Sequence, residues 1–189
     1  MSLGPTRGGR SRRAFGARAP KTPEEPASTE AARSRAIGML ARRDYPRDAL
    51  RQRLVDVGFL ELAAEEAVAS LEEERLVNDV RYVEGAVASR IGRGMGPVRI
   101  RIELQHLGVA TALIEAAVDA RSPVWSERAT TLRHRRFGPQ APTNLKERAR
   151  QVRFLLSRGF SGSHVRDALG EAGRDVDLDL DEADVSELD

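Results

Sequence analysis

Between residues 31 and 173 apolar side chains recur at helical spacing, and the pattern comes round three times. Leu50, Leu54 and Val57 stand at i, i+4 and i+7; Ile100, Leu104 and Leu107 repeat the arrangement, as do Val165, Leu169 and Ala172. Residues at those intervals share one face of an α-helix, so each set predicts an amphipathic helix with a single buried stripe. Each stripe ends at a glycine, Gly58, Gly108 or Gly173, the residue that most easily takes the left-handed conformation that stops a helix. Pro46 and Pro97 mark the starts of the first two helices, where proline is tolerated because first-turn amides have no intrahelical acceptor.

The segments before these helices match as well. Set over one another at an offset of 50, residues 37–59 and 87–109 pair Ile37 with Val87, Arg43 with Arg93, Leu50 with Ile100 and Gly58 with Gly108. A further offset of 65 brings Val152, Arg158, Val165 and Gly173 into the same columns. Each copy therefore reads as a first helix ending at an arginine, a short turn, and a second helix. Third helices follow in the first two copies, over 61–76 and 109–120; after the third copy the chain runs into acidic sequence, and its last helix is expected to be short or missing. A unit of two or three helices cannot close a core alone, whereas stacking three buries a continuous one. The expected fold is all-α: an elongated, curved array of three tandem three-helix repeats.

This frame interprets the glycine-rich stretch "RIGRGMGP" at 90–97. Gly92, Gly94 and Gly96 fall in the turn column that reads "RRDYP" in the first copy and "RGFSG" in the third. A phosphate-cradling loop needs a strand before it and a helix after it, and a P-loop needs Gly-Lys-Ser/Thr. Here a helix precedes, and no such lysine follows. The cluster is a turn.

Charge divides the chain into blocks that its net value of +2 conceals. Residues 1–21 hold 6 Lys/Arg and no acid, 22–79 hold 8 basic and 13 acidic residues, 80–170 hold 16 and 7, and 171–189 hold 1 and 9. Residues 1–30, rich in Gly, Pro, Ser and Arg, are expected to be a disordered basic arm carrying Arg7, Arg10, Arg12, Arg13, Arg18 and Lys21. Residues 174–189 are expected to be an acidic tail. The repeats between would occupy 31–78, 79–121 and 122–173. A basic half of this kind suits a polyanionic partner or a protein with an acidic groove, but it equally suits solvated helix faces.

Enzyme chemistry finds no foothold. There is no cysteine, which removes disulfides, thiolate metal sites and cysteine nucleophiles and fits a reducing cytoplasm. His106, His134 and His164 have no metal-ligand spacing. "GFSGS" at 159–163 lacks the glycine two residues after Ser161 that a nucleophile elbow needs, so Ser161 reads as a helix cap. A calcium loop starting at Asp175 would place Leu180 at the obligatory glycine and Ser186 at the bidentate glutamate. Asn144 and Glu147 form a capping-box pattern that starts a helix. No apolar run reaches the roughly 18–20 residues of a membrane span, and the N-terminus lacks the apolar core of a secretory signal. No cofactor or metal is expected.

The binding candidates are arginines: Arg90, Arg93, Arg99 and Arg101 about one turn, Arg133, Arg135 and Arg136 in a second group, and Arg150, Arg153 and Arg158 with Arg148 in a third. Few aromatics accompany them, which argues against a dedicated single-strand binder.

Residues 76–109, "LVNDVRYVEGAVASRIGRGMGPVRIRIELQHLGV", resemble the signature of the RecX family, bacterial regulators of the RecA recombinase. Asp79, Arg81, Tyr82, Arg90, Gly94, Ile100, Leu104 and Gly108 fill its positions. "MLARRDYPRDALRQRLVDVGF" resembles the family's opening repeat, "VWSERATTLRHRRFG" its Trp-to-Phe segment, and "RARQVRFLLSRGFSGSHVRDAL" its closing repeat; together they cover about 31–173. The resemblance implies a curved array of three three-helix repeats and a non-enzymatic regulator; the pattern leaves no large apolar face unsatisfied, so a monomer is expected, in the cytoplasm that the lack of cysteine fits. Such a protein would bind along the groove of the RecA filament on DNA, restrain ATP hydrolysis, strand exchange and filament growth, and so act in recombination, repair and the SOS response. A nucleic-acid-binding module contacting phosphates directly is the alternative. A further expectation is that the acidic tail folds back over the basic arm or the basic repeats and competes with the partner.

Overall fold

The computed structural model describes residues 25–170; the basic arm with its six cations and the segment 171–189 lie outside the described residues. Within them the chain forms helices and no strand: α1 (Thr29–Leu40), α2 (Arg47–Val57), α3 (Glu61–Glu73), α4 (Asp79–Gly92), α5 (Pro97–His106), α6 (Thr111–Ala117), α7 (Val124–Phe137), α8 (Leu145–Ser157) and α9 (Gly162–Leu169). All close helix pairs lie within one of three successive trios, and in each trio the first and third helices pack most closely. Serial packing of this kind makes the molecule a quasi-one-dimensional array.

The predicted stripes form the core except at Leu107, which follows α5 and packs half-buried against it. Leu50, Leu54, Ile100, Leu104 and Val165 are fully buried, and each such side chain contributes about 1.5–3 kcal/mol of transfer free energy. In the first trio, Ala32 and Ala36 of α1 meet Ala64 and Ala67 of α3 in a core that also takes Val68 and Leu71; small side chains there let the two helices approach. The second and third trios share one continuous core, from Val83 on α4 through Trp125 on α7 to Leu169 on α9. The described residues thus hold two cores rather than the single continuous one expected, because the first trio buries enough apolar side chains to close a core of its own.

Caps appear where the sequence places them, with two differences. Gly58 and Gly108 end α2 and α5 with φ of 114° and 75°. Asn144 accepts from the Glu147 amide at 2.9 Å, but the Glu147 carboxylate takes the amide of Thr143 at 3.1 Å, so the reciprocal half of the box sits one residue early. In the third copy, α9 stops at Leu169 with Gly170 at φ 61° as its cap, one turn before the expected Gly173. Ala172 and Gly173 lie outside the described residues, as does any helix after them.

The third copy also differs in order. Its matching helix pair is α8 and α9, but the helix that completes its core is α7, which precedes them and supplies Trp125 and Ala129. The core needs a third helix, and the chain supplies it from the N-terminal side.

Candidate interaction surface

The joints between trios position the surface. At the first joint, the Asp79 carboxylate at the start of α4 accepts the amide of Arg47 at 2.7 Å, satisfying a first-turn donor of α2 across the boundary. At the second, the turn before α5 lies on the turn before α9. The Gly96 amide donates to the carbonyl of Arg158 at 2.7 Å, and the Val98 amide to that of Gly159 at 3.1 Å. A Cβ on Gly96 would overlap the Gly159 peptide, and one on Gly159 would overlap Arg99. Glycine is required here for close approach of backbone to backbone. The glycine cluster is a turn, and its last member is also a docking point.

This joint holds α4 beside α7, and between them runs a groove of about 660 Å³. Ile91, Met95, Leu132 and Phe160, all buried or half-buried, give it an apolar floor, while the exposed Arg93, Arg128 and Arg135 stand around it. Glu127 is the one acid among its lining residues. Beside it a second cationic group surrounds two rings. Phe137 and Phe154 meet edge to face, centroids 5.3 Å apart. The guanidiniums of Arg136 and Arg150 lie 5.9 and 5.6 Å from the Phe137 centroid, and Arg158 lies 5.4 Å from that of Phe154. Arg158 also donates to the Arg93 carbonyl at 3.5 Å, which ties this group to the groove. Guanidiniums so placed gain from the ring quadrupoles and leave N–H edges for carboxylate or phosphate.

The other candidate arginines face elsewhere. Arg90 and Arg99 converge on Glu103 at 2.8 and 3.1 Å. Burial pushes the Glu103 carboxyl up, but the hydrogen bonds and charges of the two arginines outweigh it and hold the group below its ordinary value. Arg101 reaches Glu115 at 3.9 Å. Arg133 is only 5% exposed; it donates to the carbonyls of Pro139 and Gln140 and to Gln151, its Nε has no partner, and burial lowers its pKa. Arg153 is exposed on α8. The sequence reading missed Arg128; its spacing of seven from Arg135, two turns along one face of α7, was the available signal.

In the first trio three arginines bind carboxylates of the same trio. Arg33 binds both oxygens of Glu74 at 2.8 Å, Arg47 bonds Glu65 and reaches Glu72 at 3.1 Å, and Arg51 bonds Glu61. Arg93, Arg128, Arg135, Arg136, Arg150 and Arg158 take part in no ion pair among the described residues, and neither do Arg35, Arg42, Arg43, Arg53 and Arg75 of the first trio. What differs is the balance: 22–79 hold 8 basic and 13 acidic residues and 80–170 hold 16 and 7, so the positive charge of the array is concentrated on its second half.

Ser161 and His164 are 2.8 Å apart, a spacing that resembles a nucleophile and base. Both instead close the start of α9: Ser161 Oγ accepts the His164 amide at 3.4 Å, and His164 Nδ1 accepts the Ser161 amide at 3.2 Å. Burial pushes the His164 imidazole below its ordinary pKa, partly offset by the backbone of Ala120 and by Asp167. No cluster of metal-ligating side chains occurs among the described residues, and no described helix is long and apolar enough to cross a membrane.

Comparison with known proteins places this architecture. Residues 78–118 match the second three-helix domain of RecX, and residues 126–169 match the third. "Regulatory protein RecX" of Halorhodospira halophila is 38% identical over 152 residues, covering 80% of this chain and 94% of that protein. Its namesake from Xanthomonas axonopodis pv. citri is 40% identical over 134 residues, covering 71% and 83%. The crystal structure of RecX from Lactobacillus salivarius superposes with a TM-score of 0.63 at 20% identity, over 74% of this chain and 93% of that one. A second RecX crystal structure gives a TM-score of 0.60 at 25% identity, over 72% of this chain and 68% of that one.

Proposed function

The chain belongs to the RecX family of regulatory proteins, and from that premise we propose that it regulates a RecA recombinase filament, with the second and third trios as its binding half. The protein seats the arginine surface around α4, α7 and α8 in an acidic groove of the filament and acts there without catalysing a reaction. By binding one filament conformation better than another it slows ATP hydrolysis, strand exchange and growth, since a ligand moves an equilibrium only through differential affinity. A monomer in the cytoplasm needs no cofactor for this.

The observation that carries the reading is the asymmetry of charge between the two halves. Residues 22–79 hold 13 acidic residues against 8 basic, whereas 80–170 hold 16 basic against 7 acidic, and Arg93, Arg128, Arg135, Arg136, Arg150 and Arg158 gather about one surface of that second half. Unpaired guanidiniums beside an apolar floor suit a protein surface that offers carboxylates and side chains together. The Phe137–Phe154 group supports a second reading, direct contact with nucleic acid, because its three guanidiniums would serve phosphates equally well. The rings themselves are already taken by cations, which disfavours base stacking.

ATPase activity of a RecA-family recombinase on single-stranded DNA, with this protein titrated in, separates the two. Inhibition at substoichiometric protein together with weak binding to bare DNA is the expected result. An unchanged ATPase with tight DNA binding that falls steeply with salt would overturn the regulator in favour of the nucleic-acid module.

A further inference from the structure

The α4–α7 groove has an apolar floor and a cationic rim, and the chain carries a segment of complementary pattern beyond the described residues. Residues 171–189 hold 9 acidic residues and one basic residue. Within them, Asp175, Asp177, Asp179 and Asp181 alternate with Val176, Leu178 and Leu180. In an extended chain successive side chains point to opposite sides, so this run would offer a row of carboxylates on one side and a row of aliphatic groups on the other. We propose that the groove is a docking surface whose occupant in the free protein is this segment: Val176, Leu178 and Leu180 lie toward Ile91, Met95 and Leu132, and the aspartates lie toward Arg93, Arg128 and Arg135.

The geometry at the end of α9 permits it. Asp167 Oδ2 accepts from Ser126 Oγ at 2.5 Å, so α9 ends beside the first turn of α7. Ser126 and the groove-lining Val124 and Arg128 lie on opposite sides of that turn, and a helix is about 10–12 Å across. The step from Gly170 to Asp175 spans up to about 17 Å, enough to round the end of α7. Charge selects the destination: residues 22–79 are acidic on balance, with 13 acidic and 8 basic residues, and would repel the segment, whereas 80–170 hold 16 basic and 7 acidic residues and the three groove arginines stand together around one floor. A groove of this volume falls within the range that accommodates a compact ligand, about 300–1,000 Å³. Its consequence for regulation rests on the reading proposed above: the acidic segment occupies the cations that an acidic partner needs and competes with it.

The chain is made for a direct test, having one tryptophan, Trp125, and no cysteine. Trp125 lies beneath the groove's Arg128, 5.6 Å from its guanidinium. A Ser186→Cys substitution in the full-length protein, labelled with a fluorescent acceptor, reports the distance from tail to groove without any recombinase present. Energy transfer is expected at low salt and should fall at least about twofold in 1 M salt, where charges are screened beyond roughly 3 Å. The triple variant Arg93→Glu/Arg128→Glu/Arg135→Glu should show the same loss, corrected against its unlabelled form because Arg128 touches the donor. Val176→Ser/Leu178→Ser/Leu180→Ser keeps every charge and leaves the folded body untouched; it too should lower transfer. Transfer that persists in the arginine variant would show that the segment does not dock in this groove. Transfer that persists in the serine variant would overturn the groove assignment by showing that charge alone holds the segment. Because no filament is present, either failure leaves the proposed regulatory function standing.

Discussion

At the scale of single residues, what glycine does depends on what surrounds it. Gly96 lies against the Gly159 peptide, and a methyl there has no room; Gly85, exposed inside α4, has nothing within 4 Å. Gly96→Ala should cost about 1–3 kcal/mol by prying the second joint apart, whereas Gly85→Ala should stabilise by about 0.5–1 kcal/mol through helix propensity. Denaturant unfolding of the two variants checks the pair, and equal effects would contradict the account of the joint. The turn itself was legible, since Gly-rich spacing before Pro97 reads directly as a helix–turn–helix connection. Its contact with Gly159 was not, because nothing local in either segment reports a partner some sixty residues away. His164 makes a pH prediction of a different kind. Burial favours its neutral form in the folded state, so unfolding takes up a proton and stability falls as pH drops below the unfolded value of about 6.5. His164→Gln keeps a side chain suited to the capping position and should flatten that acid limb in thermal melts from pH 7 to 5. An unchanged limb would mean that other groups set it.

At the scale of elements, the buried stripes and caps were written locally and were therefore readable. Leu50/Leu54/Val57 and Ile100/Leu104 became core, and Gly58 and Gly108 became left-handed caps. The third unit was harder, because its column match falls on α8 and α9 while its core is completed by α7 from upstream; periodicity finds a helix but does not say which neighbour it joins. Arg133 shows the same gap. In sequence it stands in a run of basic residues, yet of that run it alone points inward, where it pins the carbonyls of Pro139 and Gln140 that lead into α8. Arg133→Ala should cost about 1–3 kcal/mol by freeing that connection and emptying a packed site. Arg135→Ala, two residues on and exposed, should change stability by less than about 0.5 kcal/mol. Urea midpoints of the two distinguish a structural arginine from a surface one.

At the scale of the whole molecule, two cores imply two folding units. The first trio closes on its own apolar residues and meets the second through polar contacts such as Arg47 to Asp79, while the second and third trios share one core. Native-state hydrogen exchange should therefore resolve an opening of α1–α3 that leaves α4–α9 protected; a single opening energy for all core amides would contradict it. The division also parts the labour, with a first trio that is acidic on balance and a cationic second half. Composition disclosed that basic half but not which arginines are spent on internal carboxylates, since pairing such as Arg90 and Arg99 with Glu103 depends on how α4 and α5 cross. The central claim, that the unpaired arginines of the second half carry the regulatory effect, is tested most directly by inhibition of a RecA-family ATPase on single-stranded DNA by Arg135→Glu/Arg150→Glu, set against Arg53→Glu, an exposed arginine of the first trio. The double variant, folded as shown by an unaltered melting curve, should lose inhibition by an order of magnitude or more while Arg53→Glu inhibits like the parent protein. Full inhibition by the double variant, or equal loss in both, would contradict it.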